Sequence, residues 1–420
     1  MENLLIPQAI FGIVTFLAVA WLFSENRKNV NFKQMLGGLA IQFALALIVL
    51  KVEAVRDGFL FVGQGVMALK NATAAGTNFV FGYLGGGDLP FIPTEGANTF
   101  IFAFQALPII IVVSAISMLL FHWKVLPTIV KFFSGAFQKG MGIGGALGVC
   151  AAAKMFLGQT DAPLLIRPYL GKFTRSELFT VMVAGMATTS IAIMVLYAMI
   201  LENTIADPIS HILTASVISV PAAITIARVL IPQVGEGTSG HLVIPYQFSS
   251  TMDAISQGTS DGIKLFINIL AMLIVFLALV ALVNSILSLL PEWNGEPVSL
   301  QLILGYALSP LAWLMGIPWD EAVVAAGLLG KKTILNEVIA FIGLASVPQG
   351  ILSAKTNLIM TYALCGFANL SSIGIQIGGI GTMVPERRQE IIALGFKAMI
   401  AGTIASCMSG TVIGIITSFG

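Results

Sequence analysis

The chain has 420 residues, of which 57% are hydrophobic and 10% charged, and its mean hydropathy is +0.95. That composition excludes a soluble domain, which must show water a charged surface, and points to lipid as the solvent. The formal net charge of +1 gives no field to recruit nucleic acid or an acidic membrane surface, so the polar groups have to be read one at a time.

The N-terminal segment MENLLIPQAIF lacks a basic leader and a small-residue cleavage site, so no cleaved signal is expected. Apolar stretches near the length a helix needs to cross about 30 Å of hydrocarbon lie at 7–24, 34–50, 98–120, 176–201, 208–231, 263–290, 356–384 and 389–418. They predict an all-α membrane protein with eight transmembrane helices. Two further stretches, 143–170 and 320–348, are equally apolar but interrupted midway by polar residues, as re-entrant hairpins are.

Lys and Arg of the short loops set the orientation. Arg27, Lys28 and Lys33, then Lys124, Lys131 and Lys139, then Lys172 and Arg175, then Arg387 and Arg388 fall on one side if both hairpins return to the side they came from. That side is the cytoplasm, and the acidic loop 291–297 with Glu292 and Glu296 falls outside. The order of span, amphipathic connector, interrupted hairpin, polar-centred helix and span then occurs twice with opposite topology. The chain divides into 1–97 (two transmembrane helices and an interfacial segment), 98–231 (first repeat), 232–262 (a loop) and 263–420 (second repeat). Inverted repeats bring discontinuous helices together near the midplane, where a few polar groups bind a solute.

Gly158 and Pro163 bracket Gln159-Thr160-Asp161, and both disfavour an unbroken helix. An amide beside a hydroxyl and a carboxylate can read the edge of a heterocyclic base. The second hairpin is interrupted by Thr333, Asn336 and Glu337. A carboxylate at membrane depth costs at least ~2.5–3.5 kcal/mol unless paired or hydrated, which suggests a use: its two oxygens suit adjacent hydroxyls such as a ribose diol. The plainer alternative is an ion pair with Lys331 or Lys332, though Lys332 lies at a poor helical angle. The seventh span carries Phe367, Asn369, Ser371 and Ser372 between two glycines, a broken-helix pattern whose serines alone could serve helix packing. The fourth carries Thr188-Thr189-Ser190, hydroxyls that can bond back to their own helix.

Cys150, Cys365 and Cys407 lie in apolar runs, and His122, His211 and His241 are scattered, so no metal site, cofactor site or nucleophile–base pair is visible. A membrane-embedded hydrolase or transferase would need such a pair. A carrier of carboxylates would want a cation at the tip, where Arg167 is the one candidate and follows by several residues. A channel would not need a mixed donor and acceptor constellation.

GQTDAPLLIRPYL at 158–170, LNEVIAF at 335–341, CGFANLSSIG at 365–374 and PERR at 385–388 resemble the signatures of concentrative nucleoside transporters, in order and over nearly the whole chain. The resemblance implies a multi-pass bacterial symporter of the cytoplasmic (inner) membrane. It also implies a homotrimer in which both hairpins and the broken helices move as an elevator against a scaffold that includes the third and sixth spans. Gln159 and Thr160 would contact the base with Asp161 beside them, Glu337, Asn369 and Ser372 would bind the ribose, and Phe367 and Ile193 would line or gate the pocket. Relatives usually have glutamate at Asp161 and glycine-rich sequence after Thr188, so base preference stays open. Sodium-coupled relatives place a sodium-ligating asparagine where Lys154 stands, with Leu157, Thr188 and Thr189 at the other coupling positions. An ammonium repels a cation rather than ligating it. The expectation is therefore an enzyme-free, sodium-independent carrier in which Lys154, with Asp161 as partner, exchanges a proton; a permanent Lys154–Asp161 pair in an uncoupled facilitator, or sodium coupling, are the alternatives.

Overall fold

The computed structural model describes residues 2–92, 94, 99–241, 243, 248–293, 295 and 297–419, with the backbone alone at 2–4, 59, 62 and 419. Glu296 of the acidic loop lies outside the described residues. The first helices are α1 (Glu2–Leu22), α2 (Phe32–Lys51) and α3 (Glu53–Phe81). Asn31 caps α2 by accepting from Gln34 N, which supplies one of the acceptors a helix start lacks. The stretch after the second span, expected to be interfacial, contains α3, a single helix of 29 residues.

The first repeat comprises α4 (Phe102–Gln105), α5 (Ile109–His122), α6 (Val125–Met141), α7 (Gly145–Ala153), α8 (Asp161–Leu164), α9 (Arg167–Leu170), α10 (Arg175–Ala187), α11 (Ile191–Ile200) and α12 (Pro208–Leu230). The amphipathic connector is α6, stopped by Gly142 at φ 59°, a left-handed position that glycine adopts without strain. The hairpin is asymmetric: α7 is a continuous arm, whereas Pro163 and Pro168 leave the return arm as the two short turns α8 and α9. The fourth span is α10 and α11 around the break 188–190. Its start is locked by a capping box, Thr174 accepting from Glu177 N while Glu177 accepts from Thr174 N, which satisfies two orphan donors at once.

The second repeat comprises α13 (Thr251–Leu287), α14 (Leu300–Leu314), α15 (Trp319–Ile334), α16 (Glu337–Ala345), α17 (Ala354–Leu364), α18 (Leu370–Met383) and α19 (Arg388–Ile416). The sixth span, expected at 263–290, starts earlier, at Thr251, inside the stretch 232–262 expected to be loop, because Ser250 caps it there by accepting from Asp253 N. The seventh, expected at 356–384, is two helices separated by 365–369. Among the described residues seven helical stretches are long and apolar enough to cross a membrane, and α14 and α15 form a pair bent by 115°. The seventh span is absent from those seven because neither half is long enough alone.

Polar ties at the helix ends define two faces. On one, Glu25 after α1 accepts from Arg175 Nε at 3.0 Å and Lys397 Nζ at 3.1 Å, and Arg387 donates to the Leu170 and Phe173 carbonyls. This is the basic face expected from the loops, and the arms of the first hairpin start and end there. On the other, Gln8 Nε2 donates to Ile317 O, Ser353 N to Glu321 Oε2 and Lys355 Nζ to Ser418 Oγ, and the second hairpin starts from that side. The hairpins therefore invade from opposite faces, as an inverted repeat requires. Helix α13 runs along α5, where Gly258 and Gly262 let the backbones meet: a Cβ on Gly258 would fall 2.6 Å from Ala115 Cα.

Candidate functional site

The four helix breaks converge in the interior. A Cβ on Gly366 would fall 2.8 Å from the Ala187 carbonyl oxygen, so the break of α17–α18 lies directly on that of α10–α11. Ile191 N, the first donor of α11, bonds to Phe156 O of the first hairpin at 2.9 Å. Each break frees backbone groups that a continuous helix would consume, and the interior gives them partners from another break rather than water.

Polar side chains at these breaks form one connected chain. Gln159 Nε2 donates to Ser372 Oγ at 3.3 Å. Asn369 caps α18, its Oδ1 accepting from Ser372 N at 2.9 Å and Ser371 Oγ at 2.7 Å. Its Nδ2 donates to Glu337 Oε2 at 2.8 Å. Asn336 caps α16 by accepting from Ile339 N, which places Glu337 in the first helical turn, where the helix dipole favours a carboxylate. Gln159, Glu337, Asn369 and Ser372 are all buried, one from each hairpin and two from the α17–α18 broken helix. A single carboxylate so deep is tolerated because an amide donor meets it.

Aromatic and aliphatic groups wall this chain. Phe367 and Ile193 are buried, and Tyr197 stacks on Phe341 at 4.5 Å between centroids. The Tyr197 hydroxyl faces both Glu337 and Thr189, although neither Tyr197 Oη nor Thr189 Oγ1 closes a hydrogen bond of ordinary geometry. Tyr197 was not singled out from sequence; its one signal is being the sole polar aromatic in ILE-rich α11, one turn beyond Ile193. The Gln159 Oε1 acceptor is also buried without a partner, leaving the tip with unused capacity.

Other expected contacts differ. Glu337 forms no ion pair with Lys331 or Lys332: Lys332 Nζ donates to Ala363 O at 2.7 Å and Ser406 Oγ at 2.9 Å instead, because α15 turns its side chain toward α19. Lys154 is fully buried and its Nζ has no hydrogen-bond partner, so the Lys154–Asp161 pair is not closed. Asp161 accepts instead from its neighbour Thr160 at 3.4 Å and is half-buried, as are Thr160 and Leu157. Thr188 Oγ1 donates to Ala184 O at 2.7 Å, bonding back to the last turn of α10 just where that helix ends. Arg167, the anion candidate, is exposed. All three cysteines are buried and free, and each histidine meets one aromatic ring.

Comparison with known proteins places the chain in a family. The family described as "Na+ dependent nucleoside transporter C-terminus" matches residues 211–414, its N-terminal counterpart residues 11–84, and "Nucleoside recognition" residues 103–204. The chain is 35% identical to the nucleoside permease NupC of Helicobacter pylori, over 97% of each. It is 33% identical to human solute carrier family 28 member 3, over 97% of this chain and 59% of that protein. Among solved structures it matches CNTnw in an inward-facing substrate-bound state with TM-score 0.89 and 33% identity, over 98% of each chain. A doubly substituted CNTnw in an outward-facing state matches with TM-score 0.90 and 32% identity, over 99% of this chain and 98% of that one. The chain belongs to the concentrative nucleoside transporter family. Within it, this chain is a NupC-like, all-helical transporter of the elevator type, and not an enzyme.

Proposed function

We propose that the chain takes up nucleosides across the bacterial cytoplasmic membrane by proton-coupled symport, as a homotrimer whose hairpins and broken helices carry the cargo. The observation that carries the substrate reading is the buried chain Gln159–Ser372–Asn369–Glu337. Glu337 and Asn369 supply acceptors and donors for adjacent sugar hydroxyls, with Ser372 completing the set. Gln159 and Thr160 read the base with Asp161 beside them, while Phe367 and Ile193 line the pocket. A nucleoside entering replaces bonds that these groups make to each other, so the carboxylate is never left bare during exchange.

The coupling reading is supported by Lys154, a buried amine without a hydrogen-bond partner, with Leu157, Thr188 and Thr189 at the other expected coupling positions. A diffusible cation next to a charged ammonium is repelled, whereas a neutral amine accepts a proton. One charge crossing 100 mV supplies about 2.3 kcal/mol, enough for roughly fifty-fold accumulation. The trimer reading rests on membership of the family. Uptake by proteoliposomes under separately imposed sodium and proton gradients tests the whole. Accumulation of uridine driven by protons is expected; accumulation driven by sodium alone overturns the coupling, and no uptake of any nucleoside overturns the substrate.

A further inference from the structure

Lys154 and Lys332 each precede by five residues the group their hairpin presents, Gln159 and Glu337, and both are buried. Their bonding differs. Lys154 has no partner, whereas Lys332 holds the Ala363 carbonyl at 2.7 Å and the Ser406 hydroxyl at 2.9 Å. The Ser406 hydroxyl donates its own proton back to Gly402 O at 3.0 Å, so a lone pair faces the ammonium.

The two sites are marked by one short sequence used twice. Ala215-Ser216-Val217-Ile218-Ser219 on α12 and Ala405-Ser406-Cys407-Met408-Ser409 on α19 share the spacing Ala-Ser-x-x-Ser. Their second serines touch, Oγ to Oγ at 2.9 Å. The first serine of each then lies one turn away along its own helix and serves its own hairpin. Ser216 donates to Met155 O, beside Lys154, at 3.1 Å, and Ser406 accepts from Lys332.

Ala363 O is the acceptor that Phe367 N would have filled had α17 continued. Breaking the helix there leaves carbonyls at the negative end of the helix dipole, deep in the protein and without water. An ammonium is the side-chain group that answers both the unfilled acceptor and its charge. From this end the chain turns through Gly366 and Phe367, Asn369 N bonding back to Phe367 O at 2.8 Å, and delivers Asn369 to Glu337.

We propose that Lys332 is a tethered cation occupying a cation seat built from the Ala363 carbonyl and the Ser406 hydroxyl, and that it is the positioning residue for Asn369 and Glu337. It acts through the helix end it holds and does not touch cargo. The proposal rests on Glu337 and Asn369 being the sugar ligands.

The test uses the purified full chain and equilibrium binding of uridine. Lys332→Ala should weaken binding at least about ten-fold, the size of a lost charge-assisted hydrogen bond, and ammonium or methylammonium chloride should restore it where choline chloride at equal ionic strength does not. Should Lys332→Ala fail to fold, Ser406→Ala, which keeps the amine and removes one oxygen of the seat, should weaken binding by about three-fold or more. Wild-type affinity in folded Lys332→Ala or in Ser406→Ala overturns the proposal. So does a loss in Lys332→Ala that neither ammonium ion mends, since lost packing alone would produce it. Glu337→Gln, run alongside, separates the two levels: retained affinity there overturns the sugar reading and this proposal together, whereas lost affinity there with an unaffected Lys332→Ala overturns this proposal alone.

Discussion

The first hairpin breaks over the stretch 154–160 and ends in the turn Gln159-Thr160-Asp161, of which only Gln159 is buried, with a buried amine left without a partner. The second breaks at Leu335 and Asn336 and goes straight into a capped helix, its buried amine bound twice and its carboxylate met by Asn369. One architecture, used in two orientations, has thus been satisfied in one half and left with spare bonding capacity in the other. An unpaired buried polar group costs on the order of 1–3 kcal/mol, and a protein keeps such groups where a partner arrives and leaves. On the proposed reading, steady grip falls to the second repeat and exchange to the first.

Several substitutions break or sharpen that division. The largest effect is expected of Glu337→Gln, which keeps shape and removes charge: uridine affinity, measured by calorimetry, should fall by about ten- to a hundred-fold, the size of a charged hydrogen bond. Lys154→Met should leave uridine affinity within about three-fold, less than one ordinary hydrogen bond, yet collapse proton-driven accumulation from roughly fifty-fold to equilibrium. A Lys154→Met protein that still concentrates uridine on a proton gradient would erase the functional contrast between the halves. Gln159→Ala should cost about three- to ten-fold in affinity, as a neutral hydrogen bond does, and the loss should vary with the base while that of Glu337→Gln varies with the sugar hydroxyls. A uniform response across bases would remove the first hairpin from recognition.

The smallest effect concerns the tie between the halves on the basic face. Hydrogen bonds from Arg175 and Lys397 hold the Glu25 carboxyl below its ordinary range. A lowered value means the stabilisation is complete at neutral pH and fades as pH falls through that value. Glu25 is about a third exposed, so screening limits Glu25→Gln to less than about 1 kcal/mol. Thermal unfolding should show this gap closing in acid and in high salt.

Much of this was legible from sequence because polar residues in apolar runs are conspicuous. Gln159, Glu337, Asn369 and Ser372 stood out for that reason, and the fold joins all four. What escaped depends on tertiary direction. Periodicity placed Lys332 off the face of Glu337 but could not show that its amine reaches a carbonyl on α17, because that acceptor exists only once the helix is broken. The recurrence of Ala-Ser-x-x-Ser at 215–219 and 405–409 is the signal that would have revealed it. Tyr197 was hidden among apolar neighbours of α11, and the early start of α13 at Thr251 was hidden by Asp253 and Asp261, which lower the hydropathy of a helix that is long enough to pass beyond the lipid.

The seating of Gly366 against the Ala187 carbonyl, with no space for a methyl group between them, has an electrical consequence. Broken helices in oil invite a file of water molecules from one compartment to the other, and such a file would conduct protons freely. With the two interruptions pressed together, no thread of solvent passes between them, and the membrane stays insulated at the point where its helices are weakest. A transporter that works across a charged membrane can tolerate gaps in its helices only on that condition.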